Sequence, residues 1–188
     1  MGSSRVITIR GAKILADILT ASRCFLAFVL FRLGLQRDKH TLPAAMTVLI
    51  LAWITDLLDG ALARRDPHPR HTLVGDHDLT VDVAVSLGAL GYLVLSDYLT
   101  LVSGLTYVAL ASLLIWYYRS PALAMAAQAP PYGGMLWVGL HDAPLYGWLA
   151  VVWICLVVIL TWPRFPREVL PNFLRSMRNL SAHRRRYL

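Results

Sequence analysis

The sequence predicts an all-α integral membrane protein in which six transmembrane helices surround a polar, metal-binding cavity open to the cytoplasm. Three observations support this prediction. First, 57% of the 188 residues are hydrophobic and 15% are charged, against roughly 45–50% and about 25% in soluble domains. Second, apolar stretches near the ~20 residues of a spanning helix recur along the chain. Third, four aspartates fall on two consecutive stretches.

The composition excludes several other classes of protein. A chain this apolar does not stay disordered, and two cysteines are too few for a disulfide scaffold. Cys24 and Cys155 both lie in apolar runs, where we expect small buried thiols. The net charge of +7 is better explained by an anionic membrane surface than by nucleic acid, because the basic residues fringe apolar helices. We expect membrane lipids as partners, and no nucleic acid.

The six apolar stretches are predicted to form one membrane domain over residues 1–188, with its helical core at 14–163. The stretches run at 14–35, 42–64, 78–96, 99–118, 122–140 and 144–162. The fifth stretch is the weakest, because Pro130, Pro131, Gly133 and Gly134 interrupt it. Such breaks are tolerated in a membrane only where protein or water satisfies the freed backbone groups.

The lysines and arginines predict the orientation of the helices. With both termini in the cytoplasm, 14 of the 18 basic residues lie on that side, as the positive-inside rule requires. We therefore expect a multi-pass protein of a bacterial inner or plasma membrane. Residues 1–13 are predicted to lie along the interface, and residues 164–188 to form a basic cytoplasmic tail. Whether this tail is an amphipathic helix on the membrane or a solvated segment stays open.

The acidic residues are the unusual feature of the predicted spans. Asp56 and Asp59 are three residues apart and share one face of the second helix, while Asp78 and Asp82, four apart, share one face of the third. A carboxylate deep in a bilayer costs roughly 2.5–3.5 kcal/mol. Since the two helices are antiparallel, the pairs are expected to meet in the cytoplasmic third of the membrane. Two Mg²⁺ or Mn²⁺ ions would balance four carboxylates and could clamp a pyrophosphate.

The stripe of the second helix continues beyond its aspartates. Gly60 and Ala63 leave the wall beside the predicted metals open, so that a flat nucleotide can approach the backbone. Arg64, at the end of the stripe, offers a guanidinium fork that suits a phosphate. This order of small and basic residues favours a phosphate ligand over a proton relay or a helix-pairing role for the aspartates.

Residues 56–64 and 78–82 resemble the signature of the CDP-alcohol phosphotransferases, D-x2-D-G-x2-A-R followed by G-x3-D-x3-D. The first half matches in full. Residues 17–23 are similar to the N-x-L-T-x2-R pattern of the family's first helix, with Asp17 in place of the asparagine. Residues 56–65 are also similar to glycerophosphate-using and cardiolipin-synthase-like members, which include phosphatidylglycerophosphate synthases.

The second half of the signature departs from the family pattern. Gly75 stands three residues before Asp78, where the family usually has four. Asp76 competes with Asp78 for the third aspartate, and Asp78 is preferred because it is four residues before Asp82. The pairing of the aspartates is therefore expected to hold, whereas the role of Gly75 stays open.

The resemblance implies a reaction. A CDP-linked lipid such as CDP-diacylglycerol binds with its pyrophosphate on two divalent cations, an acceptor alcohol attacks the lipid-linked phosphorus, and CMP leaves. Asp82 would complete the metal site and act as the general base. The resemblance also implies a homodimer. The residues implied as metal ligands are Asp56, Asp59, Asp78 and Asp82, and those implied for the CDP moiety are Gly60, Ala63 and Arg64.

The acceptor is less well defined by the sequence. Arg119 at the end of the fourth helix and Arg23 within the first are candidates for binding an acceptor phosphate. We rank glycerol 3-phosphate first, with inositol phosphate or another alcohol behind it. Three other functions stay open: an intramembrane prenyltransferase, an aspartate-based cation transporter and an inactive scaffold.

Overall fold

The protein is described here by a computed structural model, which covers residues 3–63, 78–162, 166–167 and 170–183. Within these ranges the chain is helical and contains no strand, as predicted. A short 3-10 turn at Lys39–Thr41 precedes the second helix. The α-helices are α1 (Ser3–Gly34), α2 (Leu42–Ala63), α3 (Asp78–Leu95), α4 (Leu101–Tyr118), α5 (Pro121–Ala126), α6 (Ala129–Asp142), α7 (Pro144–Leu160) and α8 (Leu170–His183).

Two parts of the helix pattern differ from the predicted spans. Helix α1 begins at Ser3, so the residues predicted to lie along the interface continue the first span, and their place at the interface stays a prediction. The fifth stretch is two helices that meet at Ala127 and Gln128. Pro130 and Pro131 lie in the first turn of α6, where a missing amide hydrogen costs no helical bond. The prolines therefore start a helix instead of interrupting one.

Several helices have the composition of membrane spans. Among the described residues, Lys39–Ala61 and Leu101–Tyr118 are long and apolar enough to cross a bilayer. Leu79–Leu95 and Pro144–Leu160 are shorter apolar helices. This supports membrane association, while the arrangement of six spans around a cavity stays a prediction.

Helix α1 lies against both α2 and α3 and forms the centre of the bundle with them. Gly88 permits the closest approach, because a Cβ atom there would lie 2.6 Å from the carbonyl oxygen of Ala27. Glycine allows two helix backbones to come this near. The buried side chains around this contact include Ala27, Leu30, Leu49, Ala52, Val85, Ala89 and Tyr92.

The two cysteines correct one expectation. Cys24 and Cys155 were expected to be buried, and both are exposed. An apolar run does not distinguish the inside of a helical bundle from an apolar outer surface, since a membrane helix is hydrophobic on both sides. The exposure of each thiol could therefore not be predicted from its neighbours in the sequence.

Candidate active site

Three helices bring one basic and three acidic side chains together. Arg23 comes from α1, Asp56 and Asp59 from α2, and Asp82 from α3. The spacing of three residues puts both α2 carboxylates on the face that α1 covers. Because α1 packs on α2 and on α3, its Arg23 reaches the acids of both helices. We call these four residues the carboxylate cluster.

The contacts of the guanidinium are short and involve both of its terminal nitrogens. Nη1 of Arg23 lies 2.6 Å from Oδ1 of Asp56, and Nη2 lies 2.5 Å from Oδ2 of Asp59. Nη1 also donates to Oδ1 of Asp82. The hydroxyl of Thr20 donates to Oδ2 of Asp59 at 3.3 Å. One arginine thus bridges acids whose helices are joined by a 14-residue connection at 64–77.

Burial varies across the carboxylate cluster. The side chain of Arg23 is 1% exposed and that of Asp59 is 8% exposed. The side chains of Asp82 and Asp56 are 30% and 51% exposed. A buried cation is stable only when acids pair with it. The buried carboxylate of Asp59 is such a partner for Arg23. Asp56 and Asp82 remain reachable by a ligand that enters from the open side.

A tyrosine from α6 fixes the backbone beside Asp82. The hydroxyl of Tyr132 donates to the carbonyl oxygen of Asp82 at 3.3 Å. Its ring meets that of Trp53 edge to face, with centroids 5.5 Å apart. Tyr132 could not be identified from the sequence, because it lies fifty residues beyond Asp82 and belongs to no motif. Thr20 was also missed as a site residue, although it lies in the motif-like segment 17–23.

The other predicted site residues are placed only in part. Gly60 lies in α2, Ala63 ends that helix and Asp78 begins α3. The side chains of Ala63 and Asp78 lie outside the described residues, as does Arg64 entirely. Arg119 is exposed and ends α4 in the left-handed conformation, with φ 47°. No hydrogen bond or ion pair among the described residues joins Arg119 to the carboxylate cluster, and the predicted roles of these residues stay predictions.

The donor atoms of the cluster are those that bind hard cations. Among the described residues, no group of three or more His, Cys, Asp or Glu side chains is arranged to hold a metal ion. The three carboxylates surround a guanidinium instead. The carboxylates direct only oxygen atoms at this guanidinium. Carboxylate oxygens are also the ligands that Mg²⁺ and Mn²⁺ prefer. The residue types therefore fit a divalent cation.

Comparison with known proteins gives one match. The sequence profile of a family described as CDP-alcohol phosphatidyltransferase matches residues 13–163. No curated protein and no solved structure matched the chain. The matched segment includes the whole carboxylate cluster, together with Thr20 and Tyr132.

Proposed function

Because the chain belongs to the CDP-alcohol phosphatidyltransferase family, we propose that it transfers a phosphatidyl group from CDP-diacylglycerol to a polar alcohol in phospholipid biosynthesis. The family uses a CDP-alcohol donor and an alcohol acceptor. The observation that supports the assignment most directly is the meeting of Asp56, Asp59 and Asp82 at one point. These are three of the four aspartates of the family's signature.

The family is generally dependent on divalent cations, and we propose Mg²⁺ or Mn²⁺ for this chain. Asp56, Asp59, Asp78 and Asp82 would hold two such ions. Bound ions would neutralise charge on the pyrophosphate of the donor, which is the main requirement of phosphoryl transfer. Gly60, Ala63 and Arg64 would bind the CDP moiety beside them.

Asp82 is the proposed general base. Its side chain is partly exposed, so an acceptor can reach the carboxylate, and its backbone carbonyl accepts a hydrogen bond from Tyr132. Asp82 takes the proton of the acceptor hydroxyl as the new oxygen–phosphorus bond forms. The bond between this phosphorus and the leaving CMP breaks in the same step, so the phosphatidyl group passes to the acceptor.

Glycerol 3-phosphate is the acceptor we propose, with inositol phosphate or another alcohol as alternatives. Arg119 is exposed at the end of α4 and would offer a guanidinium to the acceptor phosphate, whereas the guanidinium of Arg23, the second predicted candidate, is paired with the acids of the carboxylate cluster. The family match gives the prenyltransferase and transporter alternatives no support. We further propose that the protein is a multi-pass membrane protein, and a homodimer, with its active site facing the cytoplasm.

The reaction is tested with purified full-length protein, CDP-diacylglycerol, Mn²⁺ or Mg²⁺, and a panel of acceptor alcohols. We expect CMP release and a phosphatidyl product, both measured by mass spectrometry, with glycerol 3-phosphate as the best acceptor. Asp82→Asn should lower turnover by at least about 100-fold, because general bases contribute roughly 10²–10⁴ to rates. If CMP release is the same with and without every acceptor in the panel, the proposed transfer is contradicted.

Asp97→Asn is the matched control for this substitution. Asp97 lies after the opposite end of α3 and has φ 60°, a conformation that asparagine adopts readily. This variant should keep wild-type turnover. Full activity of Asp82→Asn would reject the assignment of the base and leave the family's reaction in place.

A further inference from the structure

The cation in the carboxylate cluster belongs to the chain itself. The guanidinium of Arg23 is 1% exposed and contacts Oδ1 of Asp56, Oδ2 of Asp59 and Oδ1 of Asp82. These oxygens belong to three residues proposed to hold divalent cations. Arg23 was predicted to bind the acceptor phosphate, but its guanidinium contacts the proposed metal ligands.

We propose that the Arg23 guanidinium and the divalent cations are alternative occupants of the carboxylate cluster. In the metal-free protein Arg23 holds the three acids together, and it gives up these contacts when the ions bind. Arg23 is then a positioning residue, which assembles the metal ligands before the metal arrives. This inference rests on the proposed function, because it assumes that the cluster binds divalent cations.

The first reason is competition for the same oxygen atoms. A guanidinium nitrogen lies 2.5–2.6 Å from a carboxylate oxygen of Asp56 and of Asp59. At this distance it occupies space in which a metal ion would bind that oxygen. Mg²⁺ requires its oxygen ligands at about 2.0–2.1 Å. Two positive groups directed at the same oxygens also repel each other, and the repulsion is least screened at the buried side chains of Arg23 and Asp59.

The second reason is the balance of charge. Three acids share one guanidinium in the cluster, and one positive charge does not balance three carboxylates. Arg23 therefore stabilises the acids without neutralising them, and the site still attracts a divalent cation. The exchange requires the buried Arg23 side chain to change rotamer when the ions bind.

The proposal is tested by direct binding of Mn²⁺ to the purified full-length protein, with free Mn²⁺ followed by electron paramagnetic resonance. Arg23→Met removes the competing charge and should bind Mn²⁺ at least about fivefold more tightly than wild type, the lower limit of typical coupling between sites. Arg23→Lys keeps the charge and loses the planar fork, so its affinity should lie between the two. Arg32→Met removes an exposed arginine from the same helix and should bind like wild type.

Thermal unfolding separates exchange from coexistence. Without metal, Arg23→Met should unfold at a lower temperature than wild type, because its acids repel one another. Saturating Mn²⁺ should close this gap, since the ions then replace the lost guanidinium. A gap that persists at saturation, or equal Mn²⁺ affinities of wild type and Arg23→Met, would overturn the proposal while leaving the proposed function intact.

Two further outcomes have defined meanings. If wild type binds no Mn²⁺, the metal site of the proposed function fails, and this inference fails with it. If Arg23→Met does not fold, Arg23→Lys decides the question: tighter Mn²⁺ binding than wild type supports exchange, and unchanged binding overturns it.

Discussion

At Asp82 the side chain and the backbone are held by different helices. The carboxylate pairs with Arg23 of α1, and the carbonyl oxygen accepts a hydrogen bond from Tyr132 of α6. The Tyr132 hydrogen bond does not use the carboxylate, so it can persist when Arg23 releases Asp82, and it limits movement of the proposed general base. The hydroxyl of Tyr132 is thus expected to act on the reaction through Asp82, without touching the reacting atoms.

Tyr132→Phe tests this positioning role. The substitution removes the hydrogen bond and keeps the ring that contacts Trp53, so stability should fall by about 0.5–1.5 kcal/mol. We expect kcat to fall several-fold while KM for CDP-diacylglycerol changes little. Tyr117→Phe, on an exposed tyrosine of α4, is the control and should change neither quantity. Unchanged kcat and stability in Tyr132→Phe would show that the contact has no role.

The spacing of the aspartates predicted which of them meet, but not what holds them. Residues three or four apart on a helix must share a face, so the meeting of Asp56 and Asp59 with Asp82 could be anticipated. Arg23 is 33 residues from Asp56, and Tyr132 is 50 residues from Asp82. Contacts at such separations depend on how helices pack, which a local pattern does not determine.

At the level of elements, the position of α1 on α3 determines where Arg23 lies. Ala27, one helical turn beyond Arg23, meets Gly88 of α3 at backbone distance. Gly34 repeats the pattern two turns later, where a Cβ atom would lie 2.9 Å from Cα of Tyr92. The two helices are therefore aligned by close backbone contacts, and this alignment sets the distance from Arg23 to Asp82.

Gly88→Ala should separate α1 from α3. The added Cβ would lie 2.6 Å from the carbonyl oxygen of Ala27, and overpacking of this kind costs typically about 1–3 kcal/mol. We expect a lower unfolding temperature in detergent and reduced turnover, because α1 packs on both α2 and α3 and a displaced α3 moves Asp82 away from the acids of α2.

Gly133→Ala is the matched control, since a Cβ there meets nothing within 4 Å. It should be neutral or stabilising by up to about 1 kcal/mol, the helix propensity of alanine over glycine. Equal unfolding temperatures for the two variants would contradict a close contact at Gly88.

Four of the predicted helices have nearly the predicted bounds, and the exceptions have physical causes. The apolar stretches that form α2, α3, α4 and α7 end where polar or helix-ending residues begin. The start of α1 was missed because Arg5, Arg10 and Lys13 suggest a segment at the membrane interface. Arginine and lysine are also good helix formers, so the same residues can continue a helix. The two prolines of α6 were interpreted as a break, since a sequence does not show whether a proline is inside a helix or in its first turn.

The outer surface of the protein exposes many large apolar side chains, which is unfavourable in water. Helix α4 exposes Leu101, Val102, Leu105, Leu110 and Leu113, each by more than half of its side chain. Helix α7 exposes Leu145, Val152 and Ile159 in the same way. Soluble monomers rarely expose contiguous apolar patches larger than a few hundred Å². These surfaces support the proposed place in a bilayer, where the same side chains contact lipid at no cost.

The native cysteines test this placement, because they are exposed on the protein and yet should be shielded from water. Cys24 on α1 and Cys155 on α7 are both exposed. In proteoliposomes both thiols should resist a charged, impermeant maleimide and should react with N-ethylmaleimide after the protein is denatured, since the reactive thiolate does not form in lipid; mass spectrometry measures both. A variant with Gln36→Cys as its sole cysteine is the control, since Gln36 is exposed in the connection after α1, on the side predicted to face away from the cytoplasm. In intact cells its thiol should react with the impermeant reagent; rapid reaction of Cys24 and Cys155 with that reagent would show that water, not lipid, covers these helices.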